Sequence, residues 1–123
     1  MSGHKIGKDV YIGEDIIIID GLRNEKTIFL KVGNRVSIAP RVTFILYSMP
    51  FRQQLESNDA LEEGAIVIED DVWLGTGVII MPNVTIGKGS IVGAGSVVTK
   101  NIPPMTISFG VPAKPRRKRL IIP

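Results

Sequence analysis

Few residues of this chain could do acid–base or nucleophilic chemistry. The sequence contains one histidine, His4, and no cysteine. It therefore offers no thiol nucleophile and no disulfide framework, and because it lacks the three histidines of a catalytic zinc site, no metal is expected. The other reactive groups are carboxylates within residues 50–65 and a basic run at residues 114–119. These residues leave carboxylate chemistry and the binding of a small anion as options.

The basic run decides the sign of the net charge. The chain carries 15 basic and 12 acidic residues, a formal charge of +3, and five of the basic residues lie within residues 114–119. Without them the chain is mildly acidic, which argues against a nucleic-acid-binding face, and the run has no aromatic residues for base stacking. Since there is no long apolar stretch and no charged leader, we expect no membrane span and a cytoplasmic protein.

A six-residue repeat organises most of the sequence. Each hexapeptide opens on a large apolar residue and has a small or branched residue four positions later, and both are predicted to face inward. The opening residues are Ile68, Leu74, Ile80, Ile86, Val92 and Val98, and earlier, in the same phase, Ile6, Ile12, Ile18, Val32, Ile38 and Phe44. The pattern predicts an all-β solenoid of short strands. An antiparallel sandwich, the alternative, gives no reason for a corner every six residues.

Glycines and interruptions complete this prediction. Gly, Asn or Asp between the two inward positions predicts a corner with positive φ. Glycines directly follow opening residues at Gly7, Gly13, Gly33, Gly75, Gly87 and Gly93. The gap between Ile18 and Val32 predicts a turn or bulge, and the polar residues 50–65 predict an extruded loop. Pro103 and Pro104 end the regular strands. We predict a β-helix domain over residues 1–103, with the loop at about 50–65, and a C-terminal extension over residues 104–123 that packs back on it.

Five motifs together resemble a known family. They are residues 71–75 (DVWLG), 86–87 (IG), 91–100 (IVGAGSVVTK), 102–104 (IPP) and 110–113 (GVPA). This set resembles the hexapeptide-repeat acyltransferases, in particular the galactoside, maltose and polysaccharide-biosynthesis acetyltransferases, from about residue 32 to residue 117. The resemblance implies a left-handed parallel β-helix, a homotrimer, and an acetyl-CoA site in the groove between subunits. A dimer remains the alternative.

The resemblance also implies which residues bind acetyl-CoA. Small residues leave a channel for the pantetheine arm at Gly75, Thr76, Gly93, Ala94 and Ser96, although tight corners would require small residues in any case. Thr99 and Lys100 match positions near the adenosine. Lys114 and Arg117 match basic residues near the phosphates, where charge-assisted hydrogen bonds are strong. Trp73 is expected beside the groove or in the packing between subunits.

The catalytic base is where the sequence departs from this family. Acetyl transfer needs a group that takes the acceptor's proton, and imidazole suits that task near neutral pH. Other members place a histidine where this chain has Met49, or two residues earlier, at Tyr47. The usual pKa of tyrosine is near 10, roughly three units above neutral pH. Deprotonating it so that it can act as a base at pH 7 therefore costs about 4 kcal/mol. Methionine does not titrate. His4 is expected to be an ordinary surface residue, and the substitutes for the base are the loop carboxylates Glu56, Asp59, Glu62 and Glu63.

The acceptor side differs as well. Where galactoside-type members place an aromatic and an amide side chain, this chain has Ile17 and Ile19, and the nearest polar residues are Asp20 and Asn24. The leading hypothesis is an acetyl-CoA-dependent O- or N-acetyltransferase for a sugar or sugar-derived hydroxyl or amine, with weak or atypical catalysis. The alternative is a catalytically degenerate homologue that acts as a binding or structural subunit.

Overall fold

The computed structural model describes residues 3–21, 26–48 and 62–120, and these form a parallel β-helix. The strands are β1 (Lys5–Ile6), β2 (Tyr11–Ile12), β3 (Ile17–Ile19), β4 (Leu30–Val32), β5 (Ser37–Ile38), β6 (Thr43–Ile45), β7 (Tyr47–Ser48), β8 (Glu62–Glu63), β9 (Ile66–Ile68), β10 (Trp73–Leu74), β11 (Ile79–Ile80), β12 (Thr85–Ile86), β13 (Ile91–Val92), β14 (Val97–Val98), β15 (Thr106–Gly110) and β16 (Ala113–Lys118). No helix occurs in these ranges. The predicted all-β helix of hexapeptides is confirmed.

Three sheets form the sides of a triangular prism. Sheet A contains β1, β4, β9 and β12, and sheet C contains β3, β6, β11 and β14. Sheet B contains β2, β5, β10, β13, β15 and β16. The chain passes from sheet A to sheet B to sheet C in each coil. Every coil therefore has an A–B corner, a B–C corner and a C–A corner.

The core is a column of apolar side chains that runs through the stacked coils. The parallel register places like residues on one another, with Leu74 between Ile38 and Val92. Phe44, Leu74 and Ile80 are fully buried, as are several residues four positions after the opening ones, such as Val42 and Val78. A single coil cannot bury its own apolar residues, so stability comes from stacking, at roughly 1.5–3 kcal/mol for each buried aliphatic side chain.

The corners follow the sequence prediction in part, because most residues with positive φ are Gly, Asn or Asp that lie between the two inward positions. Positive φ falls three positions after the opening residue, at Asp9, Asp15, Arg35, Arg41, Asp71, Gly77, Asn83, Gly89 and Gly95. The glycines that directly follow the opening residues have ordinary φ values. Their small size answers a steric need instead, because a Cβ on Gly75 would lie 2.6 Å from the Ala94 nitrogen, and one on Gly13 would lie 2.6 Å from the Pro40 nitrogen. Close stacking of coils selects these glycines.

Polar side chains join successive A–B corners. The Asn34 N–H donates to Asp70 Oδ1 at 2.8 Å, and Arg35 Nε donates to Asp71 Oδ1 at 2.8 Å. The hydrogen bond from Arg35 is the main reason that the pKa of the Asp71 carboxyl is lowered. These contacts fasten neighbouring coils at a corner where none of the predicted site residues lies.

Both insertions leave the β-helix at the C–A corner. The second has an antiparallel base in which Tyr47 pairs with Glu63, and the coil resumes because the Gly64 N–H donates to the Leu46 carbonyl at 3.0 Å. The excursion thus begins at residue 47, slightly earlier than predicted. Its residues 49–61, and residues 22–25 of the first insertion, lie outside the described ranges.

The two ends of the β-helix differ. At the C-terminal end, β15 pairs in parallel with β13, and β16 turns back antiparallel to β15. At the N-terminal end, Ile6, Ile12 and Ile18 face the same core column but remain 47%, 49% and 41% exposed. The first coil therefore lacks a layer above it in the described structure. The proposed boundary at residues 103 and 104 stays a prediction.

We expect the cost of shortening an isoleucine to depend on its place in the stack. Ile80→Ala should lower the free energy of unfolding by about 2–5 kcal/mol, because the side chain is fully buried between coils. Ile12→Ala is the matched control, since it changes the same residue type at the same repeat position in the half-exposed first coil, and should cost about 1 kcal/mol or less. Urea unfolding of both variants measures the difference. Equal costs would show that the first coil is as well packed as the third.

Candidate functional site

The outer face of sheet B carries aromatic and basic residues side by side. Trp73, which is 52% exposed, lies in the outward row that continues through β13 to Ile107. In the β15–β16 ribbon, Ile107 pairs with Arg117 and Phe109 pairs with Lys114. Directly paired residues share a face of an antiparallel ribbon. Lys114 and Arg117 therefore lie on the same face as Trp73, which brings together three residues that were predicted separately.

The basic residues of β16 and its neighbour are of two kinds. Arg116 lies 5.0 Å from the centre of the Phe109 ring and donates Nε to the Phe109 carbonyl at 3.1 Å. Arg119 donates to two backbone carbonyls near the A–B corner at 2.8 and 3.4 Å. Lys114 and Arg117 are exposed and, within the described part of the chain, make no side-chain hydrogen bond or ion pair. On the face that carries Trp73, they are the basic residues of β16 available to an anion. Lys118 is also exposed, but it pairs with Thr106, on the opposite face of the ribbon.

Small residues stack at the adjoining B–C corner. The Gly95 N–H donates to the Thr76 carbonyl at 2.8 Å, which ties the two successive corners together. A Cβ on Gly93 would lie 2.9 Å from Phe109 Cβ, so close packing against Phe109 also explains why this residue is a glycine. The predicted channel residues that occupy the corner are Gly75, Thr76, Gly93 and Ala94.

Ser96 does not belong to that channel. Its side chain faces the core and is 1% exposed, and its Oγ accepts a hydrogen bond from the Gly110 N–H at 3.1 Å. It occupies the fifth position of its hexapeptide, which the repeat places inside the helix. The prediction that it lines an external channel is therefore wrong.

Thr99 and Lys100 lie at a different corner from the small residues. They directly follow β14, at the C–A corner, and both are exposed. Asp20 follows β3 and Tyr47 lies just beyond β6 at the same corner. Coils are about 4.8 Å apart, so Thr99 lies roughly 10 Å along the helix axis from Tyr47, two coils away.

The C–A corner brings the predicted acceptor residue and the predicted catalytic region together. The Tyr47 ring packs against Gly21, since a Cβ on Gly21 would lie 2.5 Å from Tyr47 Cδ1. Gly21 directly follows Asp20, so Asp20 and Tyr47 are neighbours. The other two predicted residues of this region, Asn24 and Met49, lie outside the described ranges.

His4 also belongs to this corner, although it was expected to be an ordinary surface residue. Its Nε2 lies 3.3 Å from Asp20 Oδ2, and its Nδ1 accepts a hydrogen bond from the Leu30 N–H at 3.0 Å. The side chain is 13% exposed, so the expectation of an ordinary surface residue is wrong. The phase of the repeat could have predicted this position, because a register that pairs Ile6 with Val32 also places His4 beside Leu30.

One carboxylate of the extruded segment reaches the same place. Glu63 lies directly across the β7–β8 hairpin from Tyr47, and its Oε2 is shielded from solvent. Glu62, the preceding residue, is exposed and lies on the opposite face of the hairpin. The other two carboxylates predicted as substitute bases, Glu56 and Asp59, lie outside the described ranges.

The predicted site residues thus form two groups on opposite edges of sheet C. The first group, at the B–C corner and on sheet B, includes Trp73, Ala94, Lys114 and Arg117. The second, at the C–A corner, includes Asp20, Tyr47, Thr99 and Lys100. Strands of two or three residues make sheet C about 10 Å wide. A flat sheet face has no walls, so a groove that uses both groups needs a second copy of the chain.

Comparison with known proteins gives the family of this chain. Residues 65–100 match the family described as bacterial transferase hexapeptide (six repeats). The galactoside O-acetyltransferase of Lactococcus lactis is 40% identical over 112 residues, which are 91% of this chain and 54% of that protein. The maltose O-acetyltransferase of Clostridium difficile 630 is 31% identical with a TM-score of 0.63, over 98% of this chain and 70% of that one.

A third similar protein was solved in a complex with acetyl-CoA. A hexapeptide-repeat-containing acetyltransferase of Vibrio cholerae, in complex with acetyl-CoA, is 29% identical with a TM-score of 0.66, over 98% of this chain and 73% of that one. The chain belongs to the hexapeptide-repeat acetyltransferases, whose fold is a left-handed parallel β-helix. It spans about half the length of the curated relatives it matches.

Two further observations concern the described residues. None of their histidine and carboxylate side chains form a group of three that could hold a metal ion. Within residues 3–21, 26–48 and 62–120, no helix has the length and apolar character of a transmembrane segment.

Proposed function

We propose that this chain is an acetyl-CoA-dependent acetyltransferase that acts on a hydroxyl or amine of a sugar or sugar derivative. The observation that carries the proposal is the division of the site residues between two edges of sheet C. The donor group of one subunit then faces the acceptor group of the next across a groove. We also propose a cytoplasmic location, in keeping with a chain that contains no cysteine.

A homotrimer suits the distribution of outward-facing residues. Sheet A presents polar residues such as Lys5, Lys31 and Thr85, whereas sheet C presents Ile17 and Ile19, which are 51% and 42% exposed. Sheet B adds the exposed Trp73. Two neighbouring apolar faces at an angle are buried by a closed ring of three copies, which leaves no apolar face uncovered. The polar sheet A would then face solvent.

The donor half of the groove follows from the first group. The B–C corner offers backbone and small side chains, along which a slender pantetheine arm could lie. Lys114 and Arg117 supply positive charge on the adjoining face and have no competing partner among the described residues. Charge-assisted hydrogen bonds from such groups to phosphate are strong and are weakened by salt. Thr99 and Lys100 of the neighbouring subunit close the other side.

The acceptor half follows from the second group. Asp20 accepts a hydrogen bond from an acceptor hydroxyl, and the carboxylate of Glu63, opposite Tyr47, takes the proton as the acceptor attacks the thioester carbonyl. The new carbon–oxygen or carbon–nitrogen bond forms, the carbon–sulfur bond breaks, and the proton passes to the departing thiolate. A carboxylate is a weaker base than imidazole, so this transfer is slower than in members with the usual histidine.

The alternative is a degenerate homologue that binds the coenzyme without turnover. The sequence carries Tyr47 and Met49 where members of the family place histidine, which favours this alternative. An assay for release of the CoA thiol distinguishes an acetyltransferase from a protein that only binds the coenzyme. A thiol reagent gives no background from the protein because the chain has no cysteine.

Neutralising the phosphate-facing residues should weaken acetyl-CoA binding. Lys114→Gln and Arg117→Gln should each lower the affinity about tenfold, since each removes a charge-assisted hydrogen bond. Arg116→Gln removes the same charge from the same strand, but Arg116 is engaged by Phe109. Its affinity should stay within about threefold of the parent protein. Titration calorimetry at two salt concentrations measures all three variants. Equal losses of affinity in the three variants would show that only the net charge matters and that Lys114 and Arg117 do not contact the phosphates.

Glu63→Gln tests the proposed base. The variant should lower kcat at least a hundredfold, because the amide cannot take the acceptor's proton. Acetyl-CoA affinity should not change. Glu62→Gln is the matched control, one residue away on the exposed face, and should keep its activity. Thiol release is followed with methyl β-galactoside and maltose as acceptors, and the thermal midpoint checks that Glu63→Gln remains folded. Full activity in a folded Glu63→Gln variant would remove Glu63 from the mechanism.

A further inference from the structure

The contacts of His4 define its tautomer. Nδ1 accepts a hydrogen bond from the backbone N–H of Leu30, so this nitrogen carries no proton. The proton of the neutral ring is therefore on Nε2, which lies 3.3 Å from Asp20 Oδ2 and donates to it. One ring thus joins the second coil, through Leu30, to the point at which the first insertion leaves the first coil.

The same contacts show what His4 does not do. A general base needs a lone pair that it can offer to the substrate, and the only lone pair of the neutral ring is engaged by the Leu30 N–H. His4 is the only histidine in the chain, and this geometry does not suit it to act as the base. Its Nε2 instead donates to the Asp20 carboxylate.

Asp20 is placed where that orientation matters. It lies at the start of the first insertion, and the next residue, Gly21, has a φ of +66° and packs directly against the Tyr47 ring. The Asp20 side chain is 22% exposed, so a ligand can reach it while one oxygen is held by His4. A carboxylate held in one orientation gives up less conformational freedom when it binds a hydroxyl.

We infer that His4 is a positioning residue of the acceptor site, which holds the Asp20 carboxylate to accept a hydrogen bond from a sugar hydroxyl. This inference rests on the proposed function, because it deepens the role of Asp20 in that function. His4 itself does not touch the acceptor. It acts through Asp20, and the effect of losing it should appear in acceptor binding and not in donor binding.

Two conservative variants separate the two contacts of His4. The amide of Gln reaches the position of Nε2, so His4→Gln keeps a donor toward Asp20. The amide oxygen of Asn takes the position of Nδ1, so His4→Asn keeps the acceptor for Leu30 but loses the donor. We expect His4→Asn to raise the KM for methyl β-galactoside or maltose about tenfold, with kcat and acetyl-CoA affinity unchanged. His4→Gln should restore a KM near that of the parent protein.

Asp20→Asn distinguishes a failure of the inference from a failure of the proposed function. A raised KM in Asp20→Asn together with a parent-like KM in His4→Asn would overturn the positioning role and leave the acceptor site in place. A parent-like KM in Asp20→Asn would overturn both. Acetyl-CoA titration is the control in each variant, since the donor half of the groove should respond to none of them.

A direct measurement does not depend on turnover. Because His4 is the only histidine, nitrogen-15 NMR of the imidazole reports this one ring. The protonated Nε2 tautomer is expected, and methyl β-galactoside or maltose should shift the ring signals saturably in the parent protein but not in Asp20→Asn. The opposite tautomer, or signals that respond to neither sugar, would overturn the inference. Acetyl-CoA binding by the same sample would still support the donor half of the proposed function.

Discussion

The whole structure depends on backbone hydrogen bonds that keep successive coils in the same phase. The Trp73 N–H donates to the Ser90 carbonyl at 3.0 Å, and the Ser37 N–H donates to the Val72 carbonyl at 2.9 Å. Such bonds place each inward residue on its counterpart in the next coil. A slip by one residue would turn the apolar column outward. An insertion can therefore leave only at a corner and must return in phase, as the bond from Gly64 to Leu46 shows.

The same constraint determines where the candidate site residues lie. Residues at equivalent positions of successive coils share an edge of the prism, which is why Asp20, Tyr47 and Thr99 meet the same corner despite their distance in sequence. The small donor-side residues share a different corner. The interior, filled by aliphatic side chains, offers no room for a ligand. A ligand site must therefore be built on the outside, from the corners, the two insertions and the outer faces of the sheets.

The fold could be predicted from the sequence because phase and residue size carry most of the information. The opening residues identified the core column, and the motifs at residues 71–75 and 91–100 identified the family. Other features could not be read from the repeat. The residues between the inward positions do include the ones with positive φ, yet the glycines directly after the opening residues have ordinary φ values, and contacts such as that of Gly75 with Ala94 select them. Steric contacts between coils depend on the spacing of backbones, which a single hexapeptide does not reveal.

The site was predicted less completely, for a related reason. The resemblance assigned Trp73, Lys114 and Arg117 separately, and only the pairing of β10, β13, β15 and β16 shows that they share a face. Ser96 was assigned to the channel although it is buried, because residue size alone does not tell inside from outside. His4 was expected to be an ordinary surface residue because its contacts are with Asp20 and Leu30, residues far from it in sequence. Hydrogen bonds between coils join residues that are far apart in the sequence, whereas a sequence motif covers only a few neighbouring residues.

We expect the donor and acceptor groups to meet only between subunits. Titration calorimetry of acetyl-CoA, with the mass of the oligomer determined on the same sample, measures whether binding accompanies assembly. The expected result is a trimer that binds one acetyl-CoA for each subunit with saturation. A monomer that binds acetyl-CoA with the same stoichiometry, or a trimer that binds none at millimolar ligand, would show that the groove between subunits is not the acetyl-CoA site.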